Sequence, residues 1–416
     1  MKLLRSEQAG EALAFLTDRR QAAYTRVRPA ARRIVGTVRR GGDAALLRQR
    51  AKLDGLDPSV PLRVATAEMR AAWASAPAPL RQALTTAARR LRAFAARQRP
   101  RDFSFAPVPG LRVGQRVVPL DAVGCYVPGG RYPLPSTLLM TVIPAQAAGV
   151  ARIAVVCPRP APEILAAAHV LGVTELYRVG GAHAIGALAY GTASIPPVQK
   201  IVGPGNAWVT AAKELVAPDC AIDMLAGPTE IAVVSERGDP ALIAADLVAQ
   251  AEHDPDAVGI LLTSRVGLAR AVRAEVGRRV LAYPVAAQAL GKRGLILVTA
   301  NAAEARYLAN RIAPEHLTVD AAGDLAWVRN AGSVFVGRWS AQPLGDYVSG
   351  PNHTLPTSGQ ARLRGGLSVL DFVKLITVQT YTRGGVRRLG PAALSLARAE
   401  GLGAHAAAIV ARGARA

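Results

Sequence analysis

From about residue 123 to residue 337 the chain repeats one pattern: a short run of β-branched and aliphatic residues, a Gly- or Pro-bearing break, then a longer helix-like stretch. The runs are VGCYV (123–127), RIAVVC (152–157), ELYRVG (175–180), KIVG (200–203), EIAVVS (230–235), VGILLT (258–263), GLILVT (294–299) and SVFVG (333–337). Helix-like stretches cover 136–149, 162–171, 181–190, 206–216, 240–252, 265–280, 301–311 and 322–329. Strands separated by helices pair in parallel, because a parallel neighbour is reached only through a crossover. A sheet covered on both faces then reads as unbroken apolar runs, as these do. The expected class is α/β with mostly parallel sheets, and the alternation is long enough for two of them.

The flanks differ. Residues 1 to about 102 are Ala/Arg/Leu-rich with helical spacing (Leu13, Leu16, then Leu80, Leu84, Leu91), and LRVGQRVVP at 111–119 alternates like a strand. After about 366 a small tail holds one strand-like run, FVKLITVQTY, a Gly-Gly turn and an Ala-rich helix from about 391 to 411. At 416 residues the chain is long enough for two or more domains.

Composition excludes several classes. Half of the residues are hydrophobic and 19% are charged, which rules out a disordered chain. A long uncharged stretch, Tyr132 to Ala151, is interrupted by Pro133, Pro135 and Pro144, so no membrane span is expected. The N-terminus has no continuous apolar segment before Glu7, so no secretion signal is expected either. Cys125, Cys157 and Cys220 are odd in number, far apart and without a CxxC, and read as buried thiols of a cytoplasmic protein.

Lys+Arg 51 against Asp+Glu 29 gives a net charge of +22, crowded into pairs such as Arg32-Arg33, Arg39-Arg40 and Arg89-Arg90. A nucleic-acid ligand would need stacking aromatics among these charges. Aromatics are only 5% of the chain, and no nucleic-acid-binding motif is present. The basic residues therefore read as a solvated helix surface, with no specific nucleic acid expected.

Ligands of parallel α/β sheets bind outside the carboxyl ends of strands. Val127-Pro128-Gly129-Gly130, Val179-Gly180-Gly181 and Gly203-Pro204-Gly205-Asn206 follow strands, and Ala226-Gly227-Pro228-Thr229-Glu230 precedes one. None is a GxGxxG or a P-loop. Together they suit a nucleotide or another anionic ligand; singly, each is more often a turn than a phosphate cradle.

Five of the six histidines lie in polar, loop-bounded contexts; His169 has no assigned role. Gln250 and His253 are i, i+3, so on a helix they share a face. Glu315 and His316 follow Pro314 and serve one ligand only if the chain turns there, since adjacent strand residues point oppositely. Asp346 and His353 sit in the polar loop GDYVSGPNHTLP. Glu400 and His405 lie about 140° apart on an ideal helix, a spacing that favours surface residues over a shared ligand. Two imidazoles, a carboxylate and an amide oxygen would suit zinc, manganese or cobalt, without the short spacing of a metal motif.

Nine segments in order carry a family resemblance: YVPGGRYPLPSTLLM, VGGAHAIGALAYGT, KIVGPGNAWVTAAK, IDMLAGPTEIAVV, DLVAQAEHDPDA, APEHL, AGSVFVG with GDYVSGPNHTLPT, GLSVLDFVKLITVQ and RAEGLGAH. From about 121 to 405 the chain resembles the histidinol dehydrogenases. That resemblance implies oxidation of L-histidinol to L-histidine with two NAD, and one Zn2+ per subunit held by Gln250, His253, Asp346 and His405. It implies Glu315 and His316 as the acid/base pair. Substrate contacts would come from Thr229, His353 and Glu400 together with Gln250, His253, His316, Asp346 and His405; NAD contacts would come from Tyr126, His183 and Asn206. His183 stands where the family usually has Gln, and Thr229 where many members have Ser.

The implied fold is two incomplete Rossmann-like domains with small terminal extensions, in a homodimer. These divide as an N-terminal helical arm (1–24), a first domain (25–119 with 230–365), an NAD-side domain (120–229) and a C-terminal arm (366–416). The arm would carry Glu400 and His405 to the neighbouring subunit, so those two need not converge within one helix. The residue types suit the chemistry. Alcohol to acid needs two hydride transfers, a base for the hydroxyl proton (His316) and a carboxylate to activate water on the aldehyde (Glu315). Alternatives are a related dehydrogenase for another polar alcohol, such as a sulfonated propanediol, and a zinc hydrolase.

Overall fold

The computed structural model describes residues 1–11, 14, 19–129 and 132–414; Leu13, Leu16 and Gly130 lie outside the described residues. The strands of the first half are β1 (Lys2–Arg5), β2 (Phe103–Val108), β3 (Leu111–Pro119), β4 (Ala122–Tyr126), β5 (Arg152–Val156), β6 (Glu175–Tyr177) and β7 (Lys200–Val202). Those of the second half are β8 (Ala221–Ile222), β9 (Glu230–Val234), β10 (Val258–Thr263), β11 (Leu295–Val298), β12 (His316–Val319), β13 (Ser333–Val336) and β14 (Val373–Tyr381).

Two compact units result: Met1–Gln98 with Asp121–Phe372, and Arg99–Leu120 with Val373–Ala416. The first holds two all-parallel sheets, ordered β1-β11-β10-β9-β12-β13 and β6-β5-β4-β7-β8. The α/β class read from the alternation is the observed one. Side-chain period 2 explains the apolar runs. Ile231, Val233, Leu261 and Ile296 pack on one face of the six-stranded sheet with the helices Pro240–Ala251 and Val266–Arg279, while Ala232, Val234, Ile260 and Leu297 pack on the other with Ala302–Ile312.

Three local expectations differ from the structure. Residues 322–329 form only a 3-10 turn, Ala322–Ala326, and a helix absent from the sequence reading spans Pro284–Arg293. The predicted C-terminal helix is two helices, Arg383–Ala399 and Gly403–Val410, parted at Gly401, whose φ of 74° ends the first. At the N-terminus, Lys2–Arg5 is a strand paired with β11, not part of a helical arm.

Two segments assigned by sequence to the first domain also sit elsewhere. The helix Arg19–Gln49 lays Ala31, Val35 and Val38 against Ile185 and Leu188 over the five-stranded sheet. The strand at 111–119 belongs to the second unit, as the centre of the antiparallel sheet β14-β3-β2. Long-range pairing decides both, and a local pattern carries no such information.

Arg32, Arg33, Arg39, Arg40, Arg89 and Arg90 are exposed, as expected of a solvated helix surface. Among the described residues no helix is long and apolar enough to cross a membrane.

Candidate active site

Each parallel sheet has a point where strand order reverses: between β4 and β7 in the smaller, and between β9 and β12 in the larger. At the carboxyl end of β9 and β12 the crevice is closed by Asp320, which accepts hydrogen bonds from Ser235 Oγ (2.6 Å) and the Glu236 amide (2.8 Å). The chemistry lies at the opposite, amino ends of the same two strands. This departs from the carboxyl-end rule used to read the sequence.

Glu315 immediately precedes β12, and His316 is its first residue. Upstream, Ala313 takes a left-handed conformation (φ 52°), unusual for a residue with a Cβ, and it turns the chain out of the helix Ala302–Ile312. Glu315 and His316 thus line one cavity although they are adjacent. The Glu315 carboxylate accepts from Thr229 Oγ1 (2.6 Å) and from the Glu230 amide (2.8 Å) through Oε2. Gln250 Nε2 donates in turn to Thr229 Oγ1. The three groups form a line of polar contacts from the helix Pro240–Ala251 across β9 to β12.

His316 is 3% exposed, and its Nδ1 lies 3.3 Å from the Glu230 carbonyl. Glu315 Oε2 is 3.7 Å from that Nδ1, and Asp346 Oδ1 is 3.6 Å from Nε2. Burial opposes the charged ring, but the two carboxylates outweigh it and raise His316 to about 10. The neighbouring carboxylates thus favour the charged ring. Asp346 shows the reciprocal effect. Burial pushes its carboxyl up, and His316 more than offsets this, leaving it below the usual range.

Gln250 closes the helix Pro240–Ala251, whereas His253 lies just beyond it, so the shared helical face is replaced by a turn. Both still line the cavity, which has a volume of about 200 Å³ and also takes in Thr229, Asp346 and His353. The His353 Nδ1–H donates to the Asp346 carbonyl (2.8 Å), which leaves Nε2 as the lone-pair nitrogen of the neutral ring. Gln342, not among the candidate residues above, is 1% exposed and donates from Nε2 to Asp346 Oδ2 (2.7 Å). An i, i+4 amide–carboxylate pair on the helix Gln342–Tyr347 was the pattern that would have found it.

The same helix is tied back through the Gln342 backbone N–H, which hydrogen-bonds Asp246, one turn before Gln250. Burial raises the Asp246 carboxyl to about 6, and that N–H only partly opposes the shift. A folded value above the unfolded one favours the protonated form. Stability from this group is therefore complete near pH 4 and is lost as pH rises through 6. Asp246→Asn keeps the acceptor and removes the charge. We expect no change in Tm at pH 4 and, at pH 8, a gain of roughly 1 kcal/mol after allowing for solvent screening, or about 2 °C by thermal melt.

Of the expected NAD contacts, Tyr126 ends β4 and is 4% exposed, with its Oη accepting from the Gly181 amide (3.1 Å). Asn206 caps the helix Ala207–Val216, accepting from the Trp208 and Val209 amides. His183 is fully buried. Gly203 has φ 113°, and a Cβ there would stand 2.2 Å from the Tyr126 carbonyl, so the turn after β7 requires glycine. Glu400 and His405 are exposed and belong to the second unit. Among the described residues no three His, Cys, Asp or Glu side chains gather as a metal site.

Parallel α/β sheets with a buried Glu–His pair on one small cavity define the class: an α/β protein with a candidate active site. The family profile described as histidinol dehydrogenase matches residues 17–413. Histidinol dehydrogenase of Gluconobacter oxydans is 45% identical over 420 residues, covering 98% of each chain. That of Agrobacterium fabrum is 45% identical over 94% of each. The crystal structure of histidinol dehydrogenase from Elizabethkingia anophelis superposes with a TM-score of 0.94 at 34% identity, covering 99% of this chain and 98% of that one. The chain belongs to the histidinol dehydrogenase family. It is an enzyme, an oxidoreductase, and the comparisons lend no support to the propanediol or hydrolase alternatives.

Proposed function

We propose that the chain oxidises L-histidinol through L-histidinal to L-histidine, the last step of histidine biosynthesis, by two hydride transfers to NAD. The observation that carries this reading is the meeting of Thr229, Gln250, Glu315, His316, Asp346 and His353 on one small cavity. NAD is assigned to the five-stranded sheet, residues 120–229, at the crevice between β4 and β7 flanked by Tyr126 and Asn206.

The donor set fits a divalent cation. Gln250 Oε1 is buried without a hydrogen-bond partner, and Asp346 is fixed by Gln342 through one oxygen while the other stands beyond hydrogen-bond reach of His316. Gln250, His253 and Asp346 would hold one Zn2+, completed by His405 of the partner subunit in a homodimer. Glu400 of the partner subunit would meet the substrate, as would Thr229 and His353. Bound there, the cation supplies charge and orientation for the amino alcohol, and NAD supplies the hydride acceptor. His316 takes the hydroxyl proton. Its base form requires Asp346 to be neutralised by something other than the ring, because that carboxylate is one of the two holding the proton. Glu315, oriented by Thr229 and the Glu230 amide, removes a proton from the water that adds to the aldehyde.

A cytoplasmic location accords with three free, buried cysteines, whose thiols burial pushes up to about 12. The test is purified protein with NAD and L-histidinol, with and without a chelator. Two NADH per histidinol, lost on chelation and restored by Zn2+, are expected; no NADH from histidinol would overturn the reading.

Gln342→Leu keeps the bulk and removes the donor to Asp346. Metal affinity should fall by about 10–100-fold in competition with a chromophoric chelator, the range for losing a hydrogen bond to a ligating carboxylate. Unchanged affinity would free Gln342 of that role.

A further inference from the structure

We propose that Lys213 and Asp223, a buried ion pair, act with Thr210 as positioning residues. They fix the turn after β7 against the wall of the catalytic cavity and so set the distance across which hydride passes. The inference rests on the function proposed above and concerns three residues which that reading leaves unused. Lys213 and Thr210 are each 2% exposed, and Asp223 is 5%. Even a well-made buried ion pair is often no more stabilising than apolar side chains of similar volume. What this pair holds together accounts for its presence.

Gly203 and Asp223 follow the neighbouring parallel strands β7 and β8, and the Asp223 amide extends their pairing by donating to the Ile201 carbonyl (3.2 Å). Asp223 Oδ2 accepts from the Gly203 amide (2.7 Å), while Oδ1 accepts from the Met224 amide (2.6 Å) and from Lys213 Nζ. Helical side chains lean toward the N-terminus, so Lys213, in the second turn of the helix Ala207–Val216, reaches back to the turn that precedes it. There Nζ also donates to the Gly203 carbonyl (3.0 Å). Both backbone polar groups of Gly203 are therefore held by the pair. Pro204, which follows, has no N–H with which to anchor the turn itself.

Asp223 also begins the segment that leads to Thr229. Thr210 Oγ1, on the same helix as Lys213, donates to the Ala226 carbonyl (3.0 Å), and the Gly227 amide donates to Thr357 Oγ1 (2.6 Å). Pro204, Asp223, Ala226 and Thr229 all line the small cavity that holds Glu315 and His316. The turn next to Asn206, assigned above to NAD, is thus joined to the wall that faces the substrate. Asp223 lines that wall, but both of its oxygens are engaged by the chain, so it works through Gly203 and Met224.

Geometry set in this way serves both hydride transfers alike, whereas Glu315 serves one. The test uses the full chain with NAD and Zn2+ in single turnover, from L-histidinol and from L-histidinal. Removing one partner alone would strand the other charge, so the variant is Lys213→Met with Asp223→Asn, which keeps both volumes and removes both charges. Expected is a rate constant roughly 100-fold lower on both substrates, the effect of displacing reacting groups by about 1 Å. The NADH amplitude and the KM for L-histidinol should stay within about threefold of wild type, since the substrate's own contacts are untouched. A reduced amplitude at the wild-type rate constant would mean that the pair only keeps molecules folded, and would overturn the proposal. So would unchanged rates, or a loss on one substrate alone. If the double variant does not fold, Thr210→Val decides. Losing the tie to Ala226 should slow both transfers about fivefold at full amplitude, and an unchanged rate would overturn the proposal. No NADH from wild type would overturn the proposed function and this inference with it; normal wild-type turnover beside an unimpaired variant overturns this inference alone.

Discussion

Glu315→Gln slows the oxidation of L-histidinal by roughly 10²–10⁴-fold, the contribution of a positioned general base, while oxidation of L-histidinol to the aldehyde stays within about tenfold of wild type. The asymmetry follows from the arrangement of the pair. In the proposed mechanism His316 takes the hydroxyl proton of the alcohol, whereas a water proton has to leave only after the first hydride has gone. Gln at 315 can still accept through its amide oxygen from Thr229 Oγ1 and the Glu230 amide, so the loop before β12 keeps its anchor. The basicity is lost, and with it one of the two charges that raise His316, which lowers its pKa toward that of an active base. Single-turnover NADH formation from each substrate separates the steps, and equal losses on both would remove the division of labour between Glu315 and His316.

Mixing two inactive variants restores activity if the site is shared between copies. His405→Ala and Asp346→Ala should each fall by more than about 10³-fold, since each removes one proposed ligand of the cation. After unfolding and refolding together, half of the dimers combine one variant of each kind. In a twofold assembly such a dimer carries one site with both lesions and one with neither, so roughly a quarter of wild-type activity should return. A mixture no more active than its components would mean that His405 serves its own copy, or no site at all. The same experiment with Asp346→Ala and Glu315→Gln is the control: both residues belong to one unit of one chain, and no recovery is expected.

Much of this was legible in the residues because it is local. The strands β4, β5, β9 and β10 are short, largely apolar and mostly buried runs, and the helices between them begin within a residue or two of where the periodicity places them. Pro314 before Glu315-His316 announced a turn, and the turn exists, although the left-handed residue that makes it is Ala313. The polar loop around Asp346 and His353 stood out against an apolar chain, and both residues line the cavity.

What the sequence determined by itself was the alternation that enforces parallel sheets, and the identity of the polar groups too costly to bury without purpose. The tertiary structure alone decided that the cavity lies at the amino ends of β9 and β12, that two carboxylates raise His316, and that Gln342 bonds both Asp346 and Asp246. The reason is range. Backbone propensity and side-chain period act over a few residues, whereas the pKa of His316 is raised both by its neighbour Glu315 and by Asp346, 30 positions later in the chain. Likewise the Asp54 carboxylate that hydrogen-bonds His183 lies 129 positions earlier, and only folding brings such groups within a few ångströms.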